Sequence, residues 1–211
     1  MESEHTVEVQ RFISKYAKTI IVCLSIGAWI WLSYGPVSKQ NFLVESRILL
    51  LAIPLFLYLG RRYAFTLGTY VSIAFFLLLH LVGAYYGFAS VPIGDAVSQI
   101  TNTPGNHYDK MVHFMFGFLF AYPIRQILKT ELQFKRAWFI IPLVVLIILG
   151  FSAFYEIWEW LTASNLDPHT AYLFIGGDDP WDSQKDMLVA GIGSLIAITG
   201  VYFWNTKKPR G

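Results

Sequence analysis

The sequence predicts an all-α, polytopic membrane protein with six transmembrane helices. Hydrophobic residues make up 55% of the 211 residues and charged residues only 14%, and the mean hydropathy is +0.48. Several apolar runs approach or exceed the ~20 residues that cross about 30 Å of hydrocarbon. A soluble domain with so few polar residues could not cover these runs, and a transmembrane β-barrel would show alternating segments instead of continuous ones. We therefore expect one integral-membrane domain over residues 1–211.

The six predicted spans are separated by short connections. The first follows Arg11, Lys15 and Lys18 as in a signal peptide, but no small-residue cleavage pattern follows it, so we expect it to remain as the first membrane helix. The second is short and contains Pro54, which a membrane helix tolerates where neighbouring groups satisfy the freed carbonyl. The predicted spans are residues 18–34, 46–60, 65–87, 110–128, 137–161 and 182–204.

Lysine and arginine residues are divided unequally between the two sides of the predicted membrane. If the N-terminus is cytoplasmic, twelve of the sixteen lie on the inner side, and only Lys39, Arg47, Lys110 and Lys185 lie on the outer side. Because cytoplasmic loops carry an excess of these residues, both termini are predicted to be cytoplasmic. Ten of the fourteen acidic residues then lie at or near the outer ends of the helices. The charge bias does not explain this second asymmetry, because Asp and Glu contribute little to orientation.

A histidine and an acid stand together where the fourth span begins, in "NHYDKMVHF". Asp109 and His113 are four residues apart, so they share one face of a helix near the outer boundary. His107 lies just before the helix. Such a pair is either a local hydrogen-bonded contact or part of a ligand set.

Two glutamates lie near the outer end of the fifth span, in "FYEIWEWL". Glu156 and Glu159 are three residues apart and share a helical face. When both are ionised they repel each other, and burial disfavours the charge of each. The pair therefore favours a cation, a metal ion or a shared proton, and its alternative is an interhelical ion pair or a cap.

The segment "GGDDPWDSQKDMLVAG" concentrates aspartates at the start of the sixth span. Asp179 and Pro180 are typical of a helix start, and Asp178 is predicted to lie in a solvated loop. Asp182 and Asp186 follow on one helical face, with Lys185 as a counter-charge between them. The "GIGS" run beyond them supplies small residues for close helix packing.

The orientation places all three motifs at the outer ends of consecutive helices, which usually pack as neighbours. We therefore expect a shared, outward-facing pocket whose metal ligands are Asp109, His113, Glu156, Glu159, Asp182 and Asp186. Carboxylates with one imidazole suit a divalent cation such as Mg²⁺, Ca²⁺, Mn²⁺ or Zn²⁺. Cys23 is the one cysteine, which excludes an intrachain disulfide and a cysteine zinc site.

The same motifs resemble the bacterial YjdF-like inner-membrane proteins, a family defined by a domain of unknown function. The resemblance is carried by "HYDKMVHFMFGF", "YEIWEW" and "GDDPWDSQKDML" and extends over about residues 16–204. It implies a multi-pass protein of the bacterial cytoplasmic (inner) membrane and supports the residue set, without implying a reaction. The sequence is also more distantly similar to VanZ-like membrane proteins, from which it departs at Glu159, where Gln is frequent, and at Ala190, where Asn is frequent.

Three classes of function stay open at this point. A membrane hydrolase acting on a lipid-linked envelope substrate would use Glu156, Glu159 or His113 as its catalytic group, with or without a metal ion. A cation- or proton-coupled transporter would use the same carboxylates, but it also requires polar groups along a path. A non-catalytic scaffold or ligand-binding protein would use them to pin helices together. The expected partners are the lipid bilayer and a lipid-linked or envelope ligand, and we expect no nucleic-acid partner.

Overall fold

Long apolar helices make up most of the structure. The computed structural model describes residues 2–132, 136–177 and 179–207. All regular secondary structure in these ranges is helical, and six helices are long and apolar enough to cross a membrane. The predicted all-α membrane class and the number of spans are therefore confirmed.

The six spanning helices are joined by short segments that include two further helices. In chain order the helices are α1 (Glu2–Leu32), α2 (Lys39–Arg62), α3 (Leu67–Tyr86), α4 (Pro92–Thr101), α5 (Tyr108–Glu131), α6 (Ile140–Ala163), α7 (Pro168–Phe174) and α8 (Asp182–Lys207). Turns of 3₁₀ helix cover Phe88–Ser90 and Ala137–Phe139. The short helices α4 and α7 lie in segments that the sequence predicted only as connections.

Helix α2 begins at Lys39, before the predicted boundary at residue 46. The Ser38 side chain caps it by accepting a hydrogen bond from the Asn41 backbone N–H at 3.3 Å. The predicted span was chosen for its apolar residues, so it left out the first turns of α2, which carry Asn41 and Glu45. In the structure both side chains are buried. Asn41 donates to the Ala84 carbonyl oxygen of α3 at 3.1 Å, so neighbouring helices accommodate these polar residues.

The closest helix pair is α5 with α8, where two glycines allow the backbones to touch. A Cβ atom on Gly117 would overlap the Ala190 carbonyl oxygen, and one on Gly193 would overlap the Phe114 carbonyl oxygen. The predicted role of the "GIGS" run in close packing is thus seen in the structure, where Ser194, the last residue of the run, is fully buried. Small residues permit this approach because they leave room between the two backbones. Close packing is important within lipid, where apolar side chains gain little by associating.

The segment before α5 is held by a buried asparagine. Asn106 donates to the Val91 carbonyl oxygen at 2.9 Å and to Asp95 of α4 at 2.8 Å, and its own amide oxygen accepts from the Tyr108 backbone N–H at 3.0 Å. The Tyr108 hydroxyl donates to the Leu79 carbonyl oxygen of α3 at 2.7 Å. These bonds fix where α5 begins and therefore where Asp109 lies.

The outward faces of the helices are apolar. Large exposed side chains include Leu24 and Trp31 of α1, Leu51 of α2, Phe154 of α6 and Leu188 of α8. None of the apolar window Phe12–Leu32 of α1 is buried. Such a surface is unfavourable in water and is the surface that a bilayer requires.

Candidate functional site

One end of the helix bundle brings together the start of α5, the end of α6 and the start of α8; we call it the acidic end. On α5, Asp109 and His113 are almost fully buried, and His113 Nε2 lies 3.7 Å from Asp109 Oδ1. The one-turn spacing of the two residues produces this contact, as their sequence separation predicts.

Helix α6 supplies three polar side chains on the face that meets His113. Ser152 Oγ lies 3.3 Å from His113 Nδ1, and Glu156 Oε1 lies 3.3 Å from His113 Nε2. Glu159, one turn further along, is also buried. Ser152 was not selected from the sequence, although its position four residues before Glu156 places it on the same helical face.

These side chains form two overlapping groups of ligand atoms, with Asp186 contributed by α8. Asp109, His113 and Asp186 form one group, and His113, Glu156 and Glu159 form the other; within each group the ligand atoms all lie within 4.8 Å of one another. Two ligands of one ion are separated by at most about twice the metal–ligand distance of ~2.0–2.6 Å. The separations therefore match shared coordination. We call these five residues the acidic–histidine cluster.

The remaining predicted ligand, Asp182, lies outside both groups. Its carboxylate pairs with Lys110 of α5. Lys185 likewise does not serve as the predicted counter-charge for Asp182 and Asp186. It pairs with Asp179, and this hydrogen bond lowers the pKa of the Asp179 carboxyl.

Asp179 lies in the turn that leads into α8. Its Oδ1 accepts a hydrogen bond from the Trp181 backbone N–H at 3.0 Å, which forms a turn ahead of the helix and not the predicted N-cap. The helix itself starts two residues later than Pro180 suggested, at Asp182. Asp178 lies outside the described residues.

The carboxylates of the cluster have unused acceptor atoms. Asp109 Oδ2, Glu156 Oε1, Glu159 Oε1 and Asp186 Oδ1 are buried and lack a hydrogen-bond partner among the described residues. Glu156 Oε1 approaches His113 Nε2 without the geometry of a hydrogen bond. A buried polar atom without a partner costs free energy, and adjacent buried carboxylates add repulsion. Lys110, paired with Asp182, supplies one positive charge at this end, so four buried carboxylates still favour further positive charge, either as protons or as a cation.

A second polar group lies beside the cluster and was not predicted. Glu45 of α2 is fully buried, and its Oε2 lies 3.3 Å from His80 Nε2 of α3 and accepts a hydrogen bond from the Tyr155 hydroxyl at 3.2 Å. The Tyr155 ring packs edge-on against His113, with centroids 5.6 Å apart. His80 Nε2 approaches Glu45 across the α2–α3 contact without the geometry of a hydrogen bond. Glu45 was missed because it precedes the predicted second span.

Replacing Tyr155 with phenylalanine removes the only hydrogen bond that joins α6 to Glu45 among the described residues. We expect Tyr155→Phe to destabilise the protein by about 1–3 kcal/mol, because a buried acceptor loses its donor. The measurement is the melting temperature in detergent, with Tyr58→Phe on the exposed face of α2 as the control. An unchanged melting temperature would show that this bond does not stabilise the pairing of α2 with α6.

An apolar cavity of about 630 Å³ adjoins the cluster. Its wall is formed mainly by α2, α3, α5 and α6, and Asp109 is the only Asp, Glu, Lys or Arg among the described residues that line it. Four further polar side chains, His80, His113, Ser152 and Tyr155, line the same end of the cavity. The cluster is thus in contact with an apolar space inside the bundle.

Comparison with known proteins agrees with the membrane architecture. Residues 17–207 match the family described as "Predicted membrane protein (DUF2238)". The chain is 32% identical over 161 residues to "Inner membrane protein YjdF" of Escherichia coli (strain K12), which covers 76% of this chain and 77% of that protein. No solved structure matches the chain significantly.

Proposed function

We propose that this chain, which belongs to the DUF2238 family of predicted membrane proteins and is a multi-pass protein of the bacterial inner membrane, binds a divalent cation through its acidic–histidine cluster. The observation that carries the proposal is the convergence of four buried carboxylates with unpartnered oxygens on one histidine. A cation at this point would satisfy these oxygens and offset their mutual repulsion.

His113 would bind the cation through Nε2. Its Nδ1 faces Ser152 at 3.3 Å, and a hydrogen bond from Nδ1–H to a second group fixes the tautomer in which Nε2 is free to bind metal. Only one ring nitrogen then faces the carboxylates, so the two overlapping groups share a single imidazole-bound ion. One imidazole with several carboxylates suits Mn²⁺ or Zn²⁺ better than Ca²⁺ or Mg²⁺. Asp182 is assigned to holding Lys110 rather than to the ion.

Metal content tests the proposal directly. We expect the purified protein to retain about one divalent ion per chain after dialysis, and His113→Ala and Glu156→Gln to lose it. Metal-ligand substitutions typically weaken binding strongly, and even changes to the groups behind the ligands cost about 10–100-fold. The measurement is elemental analysis of protein purified in detergent.

Two residues of the same types, one exposed and one half-buried, serve as controls. His169→Ala in α7 and Asp179→Asn before α8 remove a histidine and an acid outside the cluster, and both should retain the ion. Metal-free wild-type protein, or equal metal in His113→Ala, would overturn the proposal.

The charge bias in the sequence supports an orientation in which the acidic end faces outward. A single-cysteine assay tests this orientation, because Cys23→Ala leaves a chain without cysteine. In that background we expect Asn165→Cys, between α6 and α7, to react with a membrane-impermeant maleimide in intact spheroplasts. Thr130→Cys, at the other end of the bundle, should react only after permeabilisation. Reversed labelling would place the cluster on the cytoplasmic side.

The hydrolase alternative is favoured over transport by the cavity. A conducting path expects polar groups along its length, whereas the described part of the cavity wall beyond its polar end contains Ser25 and Tyr70 but no Asp, Glu, Lys or Arg. A hydrolase that uses Glu156, Glu159 or His113 would instead require a substrate that reaches the cluster from the membrane. The more distant similarity to VanZ-like proteins stays a prediction.

A further inference from the structure

We infer that the apolar cavity holds the hydrocarbon chain of a lipid phosphate whose headgroup reaches the cation of the acidic–histidine cluster. This inference rests on the proposed function, since a cluster of carboxylates without a cation would repel a phosphate. The chemistry is a phosphate monoester on one long chain, which either an isoprenoid or an acyl lipid could supply.

The length of the cavity favours a long chain. Its α5 wall runs from Val112 through Phe116 and Phe120 to Leu128, a rise of about 24 Å at ~1.5 Å per residue. One leaflet of a bilayer is about 15 Å of hydrocarbon, half of the ~30 Å core. A chain that fills the cavity would therefore extend past the middle of the membrane.

The volume of the cavity favours one chain rather than two. About 630 Å³ holds roughly twenty groups of the size of a water molecule, at ~30 Å³ each. Spread over the length of the α5 wall, this volume is a narrow slot. A lipid with two chains could place only one of them inside.

The slot is accessible from the side of the bundle. Leu51 and Leu55 of α2 and Phe151 and Phe154 of α6 line the cavity and are also more than half exposed on the surface. They mark a seam between α2 and α6, which the Tyr155–Glu45 hydrogen bond joins at the acidic end. A lipid chain could enter through this seam from the bilayer without crossing water.

The polar end of the slot is complementary to a phosphate once a cation is present. Asp109 and His113 both line the cavity and belong to the metal-ligand groups. A chain in the slot therefore ends beside the ion, which can bind phosphate oxygens directly. The apolar wall would bury the chain, at about 0.8 kcal/mol per CH₂ group.

Binding of a twenty-carbon isoprenoid tests both parts of the inference. Native mass spectrometry of the metal-loaded protein in detergent would compare geranylgeranyl phosphate, geranylgeraniol and a one-chain lysophosphatidic acid. We expect the phosphates to bind at least about tenfold more tightly than the alcohol, and chelation of the metal to remove that preference. The preferred phosphate identifies the isoprenoid or acyl source. Equal binding of alcohol and phosphate to metal-loaded protein would overturn the headgroup assignment.

A matched pair of variants on α3 locates the chain. Ala74 lines the cavity, whereas Val71 is exposed and lies outside its wall. We expect Ala74→Trp to weaken binding about tenfold or more and Val71→Trp to leave it unchanged. Equal binding in both variants would overturn the location.

Cross-linking tests the position of the chain in the wild-type protein, so it does not depend on whether a substituted protein folds. A diazirine at the far end of the isoprenoid chain should label wild-type protein near Ile124 and Ile127, and labelling at the exposed Leu188 and Leu195 of α8 instead would overturn the inference. Metal-bound protein that binds no lipid would overturn this inference alone. Wild-type protein that retains no metal on purification and still prefers the phosphate to the alcohol would overturn the proposed function and the headgroup contact together.

Discussion

Gly193→Ala should destabilise the protein, whereas Gly200→Ala on the same helix should not. The Cβ of Gly193→Ala would overlap the Phe114 carbonyl oxygen and would lie 3.0 Å from the Phe118 nitrogen, and both atoms belong to the α5 backbone. Backbone cannot move aside as a flexible side chain can. Overpacking of this kind costs about 1–3 kcal/mol. At Gly200 an added Cβ meets no atom of the described residues within 4 Å, and replacing glycine with alanine inside a helix favours the helix by up to about 1 kcal/mol.

The two variants are expected to change the stability of the protein in opposite directions, so comparing them is informative. For a chain of this length, 1 kcal/mol corresponds to roughly 2–4 °C in melting temperature, so thermal unfolding in detergent resolves the difference. Gly193→Ala should also lose metal, because α8 carries Asp186 and would be moved away from α5. Equal melting temperatures for Gly193→Ala and Gly200→Ala would show that α5 and α8 do not touch through their backbones.

The spanning helices could be predicted because the apolar run is a property of the chain alone. Hydrocarbon thickness sets the length of a span, and the structure has the six spans expected. The spacings between Asp109 and His113, and between Glu156 and Glu159, likewise predict which side chains share a face. These relations are local, so they do not depend on how the helices are arranged in the bundle.

Contacts between helices could not be predicted in the same way. Asp182 and Asp186 share a helical face, yet Asp182 pairs with Lys110 while Asp186 joins the cluster. The distinction depends on how far along α5 each turn of α8 lies, and the close approach at Gly117 and Gly193 is part of that placement. Glu45 approaches the site from α2 through Tyr155, and no short-range pattern in the sequence joins residues so far apart in the chain.

The effect of Asp186→Asn on stability should reverse when metal is removed. In the wild-type protein with metal, a ligand present at 100 times its dissociation constant stabilises the folded state by about 2.7 kcal/mol. Asp186 belongs to one of the two ligand groups, so Asp186→Asn should lose most of this gain. Without metal the same substitution removes one of several adjacent buried charges and should leave the protein as stable as wild type or more stable.

Thermal unfolding with added Mn²⁺ or Zn²⁺, and again with a chelator, separates this result from a purely structural role. A carboxylate that only pins helices together would make Asp186→Asn less stable by the same amount in both conditions. Asp179→Asn is the matched control, because Asp179 is an acid just before α8 that pairs with Lys185 outside the cluster. It should keep the full metal-dependent rise in melting temperature. A reversal in Asp186→Asn alone would therefore identify the carboxylates of the cluster as ligands held ready for a cation, since their repulsion destabilises the fold only when that cation is absent.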